Sequence, residues 1–311
     1  MKKLIFILFL FAISTEIFSQ DLEGIEITTA VGGSQEISDA NANVLNSKLE
    51  NFLTQNGIVK GINSQFVLIG NLDLIQSQNA GGASGNLLMY ELSVTTKLLN
   101  NADQNVFAQN SQIVKGMGDN KIKAINSALS KINYNTEGFK TFLAQAKIKI
   151  ADYYTKNCGR ILNEASMLEK TNQFDFALYK LTSIPPVATK CYQTSMSKAQ
   201  LVFQKRINYD CKSKLSQAKI IWSTNQNVES TAQIEELLAG IDPQSSCYKE
   251  VTVFTDNVSK RIKELDGREW NVYYKKEVGL EEDRIQAIKE IGKAYGAGQP
   301  KQIIQNTKIK L

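Results

Sequence analysis

The spacing of hydrophobic and polar positions changes along the chain, and those changes divide it. An unbroken apolar run from Leu4 to Ile13 follows Lys2 and Lys3, then gives way to a more polar stretch ending at Phe18-Ser19-Gln20. A positive start, a short apolar run and a small-residue exit make the pattern of a cleaved secretory signal peptide over residues 1–20. The run is shorter than the roughly 17–25 apolar residues of a bilayer-spanning helix, so an uncleaved N-terminal anchor is the lesser alternative. No cysteine lies near the expected cleavage point at Gln20, so lipid modification there is not expected. No later segment is apolar enough to span a bilayer.

From residue 24 the periodicity shortens. Residues 24–31 alternate loosely through Ile25 and Ile27, as a strand does, whereas Val44, Leu45, Leu49, Phe52 and Leu53 share one face of a helix over 40–56. Gly57 stands where that helix should end. Residues 66–75 predict a second strand and 76–86 a polar, glycine-rich loop. Residues 87–99 and 106–114 predict two more strands, joined through Asn100-Asn101-Ala102-Asp103. After Lys115-Gly116-Met117-Gly118-Asp119, a stripe of Ile122, Ile125, Leu129 and Ile132 marks a helix. Another helix over 136–154 carries Phe139, Phe142, Leu143, Ala146 and Ile150. The glycine turn has two readings. One is a phosphate cradle at a helix N-terminus. The favoured one is a plain strand-to-helix turn capped by Asp119, because neither GxxxxGK[ST] nor GxGxxG is present.

The order strand, helix, three mostly antiparallel strands, helix, helix predicts an α/β sandwich over residues 21–155. This segment resembles the CsgG/LpoB-like family of bacterial envelope domains. The residues that carry the resemblance are Leu45-x3-Leu49-x2-Phe52-Leu53 with Asn56-Gly57-Ile58, then Phe66-Val67-Leu68-Ile69-Gly70. Leu92-Ser93-Val94 with Leu98-Leu99-Asn100, and Val114-Lys115-Gly116 leading into 124–129, complete them. The resemblance implies an envelope protein that binds or builds other machinery. The chain departs from the family in lacking the lipidated cysteine and the long amphipathic strands of its secretion-pore members.

In the second half the pattern becomes helical and repeats with a period of 53 to 57 residues. Cys158-x3-Leu162-x2-Ala165 recurs as Cys211-x3-Leu215-x2-Ala218, and Thr171-Asn172-Gln173 as Thr224-Asn225-Gln226. Leu181-x2-Ile184-x-Pro186 recurs as Leu238-x2-Ile241-x-Pro243, Cys191-Tyr192 as Cys247-Tyr248, and Lys205-Arg206-Ile207 as Lys260-Arg261-Ile262. Five blocks in one order establish a duplication, and residues 156–297 are expected to form an all-α domain of duplicated helical hairpins. Each unit is a helix from its first cysteine to the TNQ turn, a second helix to the proline, and a third from its second cysteine. The first two resemble a tetratricopeptide hairpin through Leu162, Ala165, Leu168, Phe174, Ala177 and Leu181, although the period exceeds 34 residues. A third long helix is expected from Tyr248 past Trp270 and Tyr273. A last one, over 279–295, carries Ile285, Ile288, Ile291 and Tyr295, with Glu281, Glu282 and Asp283 at its start and Gly296 and Pro300 as its stop. Residues 298–311 are a polar C-terminal tail.

The hairpins constrain the four cysteines, Cys158, Cys191, Cys211 and Cys247. In an antiparallel pair the start of the first helix lies beside the end of the second, so Cys158–Cys191 and Cys211–Cys247 are natural bridges. Cys191 and Cys211 would be about 30 Å apart along a continuous helix, beyond the ~6 Å of bridged Cα atoms. An even cysteine count without Cys-x-x-Cys in an exported chain favours disulfides over metal.

Composition narrows the function. Histidine is absent, which removes the usual general base and the commonest transition-metal ligand. Removing Lys2, Lys3 and Glu16 leaves 34 basic and 30 acidic residues, without a basic stripe, so no nucleic-acid partner is expected. Catalytic, metal and cofactor sites are all expected to be absent. The function expected is a non-enzymatic periplasmic or secreted scaffold that binds protein partners in an envelope or secretion assembly. The alternative is a glycan-binding protein or a hydrolase using Glu164, Asp175, Glu235 or Glu236, with Tyr153, Tyr154, Tyr273 and Tyr274 stacking on sugars. Against it, such carboxylates are ordinary on helix surfaces.

Overall fold

A computed structural model describes residues 24–32, 37–61, 64–79, 81, 87–267, 270 and 281–298. Residues 1–20, where a signal peptide is expected, the tail beyond 298, and Tyr273 and Tyr274 lie outside them.

The first half is a two-layer unit. β1 (Ile27–Val31), β2 (Phe66–Asn79), β3 (Leu88–Asn100) and β4 (Val106–Gly118) form one sheet in the order β1-β2-β3-β4. β1 runs parallel to β2, whereas β2–β3 and β3–β4 are antiparallel, so the sheet is mixed. Parallel pairing of consecutive strands needs a crossover, and α1 (Asp39–Gln55) supplies it. Ser38 caps α1 by accepting from Asn41 N–H at 3.2 Å, and Gly57 follows at φ +67°. β2 outruns its expected end: residues 76–79, expected in a loop, pair with 88–91 of β3. Their exposed polar side chains concealed a strand that is held by its ladder bonds and by Gln76 Nε2 donating to Glu91 at 2.7 Å.

α2 (Lys121–Ser130) and the start of α3 (Glu137–Lys170) lie with α1 on one face of the sheet. Leu45, Leu49, Phe52, Leu68, Val94, Leu98, Leu129, Phe139, Phe142 and Ile150 fill the layer between. On the other face Val67, Ile69 and Leu99 make a smaller apolar group with Ala30.

The helices expected over 136–154 and from Cys158 are one helix, α3, of 34 residues, about 51 Å long at 1.5 Å per residue. Nothing between them breaks it, and its apolar face continues through Tyr154, Ile161 and Ala165. The position 155/156 therefore falls inside α3. α4 (Phe174–Thr182) folds back on α3, and α5 (Thr189–Thr224) is another merger, joining the third helix of the first unit to the first helix of the second. α6 (Val228–Leu238) and α7 (Tyr248–Asp266) complete the second unit. α7 stops at Gly267, φ +66°, and does not continue past Trp270. α8 (Glu281–Gly298) passes Gly296, which was expected to stop it, and returns to pack on α4 and α5 through Ile285, Ile288 and Ile291. Among the described residues no helix is long and apolar enough to cross a membrane.

Candidate functional site

The cysteines come together in the pairs the hairpins imply. Cys158 on α3 is bonded to Cys191 at the start of α5, with Cα atoms 5.8 Å apart, and Cys211 on α5 to Cys247 before α7, at 6.1 Å. The two bridges occupy equivalent places in the duplicated units.

The glycine turn holds helix against strand. A Cβ on Gly116 would collide with Ala124 O and Ala128 N of α2, so glycine is what lets α2 lie this close to β4. Asn120, not Asp119, caps α2 by accepting from Lys123 N–H at 2.9 Å. Asp119 instead pairs with the Lys123 ammonium at 2.6 Å.

The candidate carboxylates do not converge. Glu164 sits between Arg160 (2.6 Å) and Lys180 (3.1 Å), tying α3 to α4. Burial opposes its ionisation, but hydrogen bonds from Lys180 and Arg160 outweigh that and hold the carboxyl below the usual carboxylate range. A general acid needs the opposite shift. Asp175 pairs with Arg206 across the α4–α5 contact. Glu235 and Glu236 stand on α6, the first half-buried and the second exposed.

Tyr153 and Tyr154 are not a surface platform. Tyr154 is buried against Phe66 in an edge-on contact, ring centroids 6.3 Å apart, and Tyr153 meets Phe107 at 5.7 Å. Burial raises the Tyr154 phenol far above its ordinary value, and the neighbouring Tyr153, Asp103 and Tyr179 add to the shift. Tyr153 donates to Asp103.

Around these two tyrosines the halves of the molecule are joined. Asn100 Nδ2 at the end of β3 donates to Tyr154 OH (3.2 Å), and Tyr154 OH donates to Gln65 Oε1 (3.4 Å). Gln65 Nε2 then donates to the Ser183 carbonyl just after α4. Ile184, Ala188 and Cys191, from the segment between α4 and α5, belong to the same apolar core as the sheet. A Cβ on Gly24 would press on Pro186 Cγ at 2.9 Å, and Lys293 of α8 pairs with Glu26 at 2.6 Å. This junction, closed by Cys158–Cys191, is the most constructed feature of the molecule. The adjacent tyrosines were legible in the sequence as candidates; Gln65, Asn100 and Ser183 were not, because single polar residues carry no periodicity.

No family model matches the chain, and no curated protein matches it. Among solved structures it is similar to a protein of Caulobacter crescentus CB15 whose lipoprotein name is provisional. Identity is 18%, with 43% of this chain and 91% of that one covered, at a TM-score of 0.22.

Proposed function

We propose that this protein is a non-enzymatic, exported scaffold or adaptor that mediates protein–protein interactions in an envelope or secretion assembly. The observation that carries this reading is the junction. α3 runs without a break from the sheet layer into the helical arm, and Cys158–Cys191 with the Asn100–Tyr154–Gln65–Ser183 chain holds the angle between them. A part that keeps two surfaces at a set distance and orientation suits an adaptor. Two disulfides fit an oxidising compartment such as the periplasm. On this reading residues 21–155 are a CsgG/LpoB-like envelope module and residues 156–297 a tetratricopeptide-like arm, each offering its own binding surface.

In-cell crosslinking followed by peptide mapping tests it. The expected outcome is a reproducible protein partner with crosslinks to lysines of both the sheet layer and the arm, lost when the junction disulfide is removed. Recovery of this chain alone under several crosslinkers would overturn the reading. Retention of the purified protein on envelope glycans would favour the glycan-binding or hydrolase alternative instead.

A further inference from the structure

The sheet has two edges that differ in how they are protected. β1 pairs with β2 only over Phe66–Gly70, leaving the rest of β2 without a strand neighbour on that side among the described residues. That stretch is blunted by Asp73 and by the bulge between Leu74 and Gln76. β4 forms the other edge and has neither device along its middle. Its register with β3 is unbroken from Ala108 to Gly118 and it contains no proline. Its one charged side chain, Lys115, is bound by Glu91 of β3 at 3.1 Å.

The direction of the free backbone groups follows from two hydrogen bonds. Asn100 N–H donates to Asn105 O at the hairpin, so even-numbered residues of β3 face β4, and the register makes even-numbered residues of β4 their partners. Met117 N–H, on the odd set, donates to Ser127 Oγ of α2 at 3.3 Å instead. Ser111, Ile113 and Lys115 therefore turn their N–H and C=O groups outward along the edge. Beside this open ladder stand two apolar side chains, Ile113 at 63% exposure and Met117 at 51%.

We propose that β4 pairs antiparallel with β4 of a second copy of this chain, about a two-fold axis at Ile113, joining two four-stranded sheets into one. The register is set by chemistry. A two-fold axis through an outward-facing residue gives pairs that exchange both backbone bonds. At Ile113 it sets Ile113 on its counterpart and Ser111 opposite Lys115, with no like charges facing, and the pairing covers residues 110–116, stopping before Met117, whose N–H is held by Ser127. An axis at Lys115 would oppose two ammonium groups, and one at Ser111 would run the pairing into the irregularity at Leu98/Leu99. The edge is thus self-complementary, as a two-fold interface requires, and this favours a second copy over a foreign strand. α2 reaches the edge at Ser127, which bounds the pairing at Met117. Seven paired residues span only about 24 Å, less than a standard ~1,600 Å² interface, so the dimer is weak and concentration-dependent. None of this depends on the function proposed above.

Sedimentation of the oxidised, exported protein between about 1 and 100 µM tests the proposal together with two cysteine variants. The expected result is a dimer that grows over this range and disappears in Ile113→Lys, whose exposed site leaves the fold intact. Ile113→Cys should form a disulfide-linked dimer, since paired Cα atoms about 5.5 Å apart suit the bond. Ser111→Cys should not, because its counterpart lies four residues, about 14 Å, along the strand. A monomer at every concentration, a dimer that survives Ile113→Lys, or equal crosslinking of the two cysteine variants would each overturn it.

Discussion

Gly116 and Gly159 show how one residue type does opposite work in this chain. At Gly116 the space a side chain would take is filled by the backbone of α2, so neither partner can yield cheaply. At Gly159, in the middle of α3, nothing lies within 4 Å of the missing Cβ. Gly116→Ala is expected to cost about 1–3 kcal/mol by overpacking. Gly159→Ala is expected to add roughly 0.5–1 kcal/mol, because alanine loses less backbone entropy in a helix. Urea denaturation of the two variants checks the pair, and a Gly116→Ala protein as stable as the parent would show that α2 is not pressed on β4. The sequence offered both glycines equally. Their difference comes from a helix packed eight to twelve residues further along, which no local window contains.

At the level of elements, the turns and long helices show the same division. The TNQ block recurs in sequence but not in conformation. Asn172 takes φ +59° in the first unit, whereas its counterpart Asn225 is extended at φ −141° in the second. Hairpin geometry, by contrast, carried through to both disulfides, because chain reversal and a short loop leave few distances open. The bridges close segments of 33 and 36 residues. Replacing Cys158 and Cys191 together by alanine is expected to cost on the order of 3 kcal/mol. Calorimetry with and without reductant measures it, and an unchanged midpoint in the double variant would show that the bridge adds nothing to the junction. The merger of predicted helices into α3 and α5 is the largest difference between sequence pattern and structure. Each apolar stripe was legible, but continuity needed the stripes to face successive cores, and that depends on what packs there.

Across the whole molecule, α3 and α5 thread three apolar cores in series. The sheet core takes the start of α3 and Cys191, the middle core takes Ala165 with Met196 to Ile207, and the far core takes Cys211 to Ala218 with α6 and α7. α8 closes the middle core by stacking Tyr295 on Phe176, ring centroids 5.1 Å apart, with Tyr179 beside them. The block alignment sets Gln233 and Glu236 of α6 at the places of Phe176 and Tyr179, so the first unit alone offers α8 an aromatic seat. The junction should make stability fall at high pH. The folded state keeps the Tyr154 phenol protonated above its ordinary value of 10.0, so its contribution is complete below pH 10 and is lost as pH rises beyond it. Denaturation midpoints between pH 8 and 11 should show this decline, and Tyr154→Phe should flatten it. A parent protein with constant stability over that range would contradict the buried placement of Tyr154. Stripes, the duplication and the cysteine pairing were readable from the chain, because each depends on spacing within one element or one hairpin, whereas the cap of α2 fell on Asn120 and not on Asp119. The parallel course of β1, the fusion of helices across 155/156, the seat of α8 and the polar chain through Tyr154 were decided only in the folded molecule. Each joins residues far apart in sequence, where the energy of the contact, and not the local pattern, selects the partner.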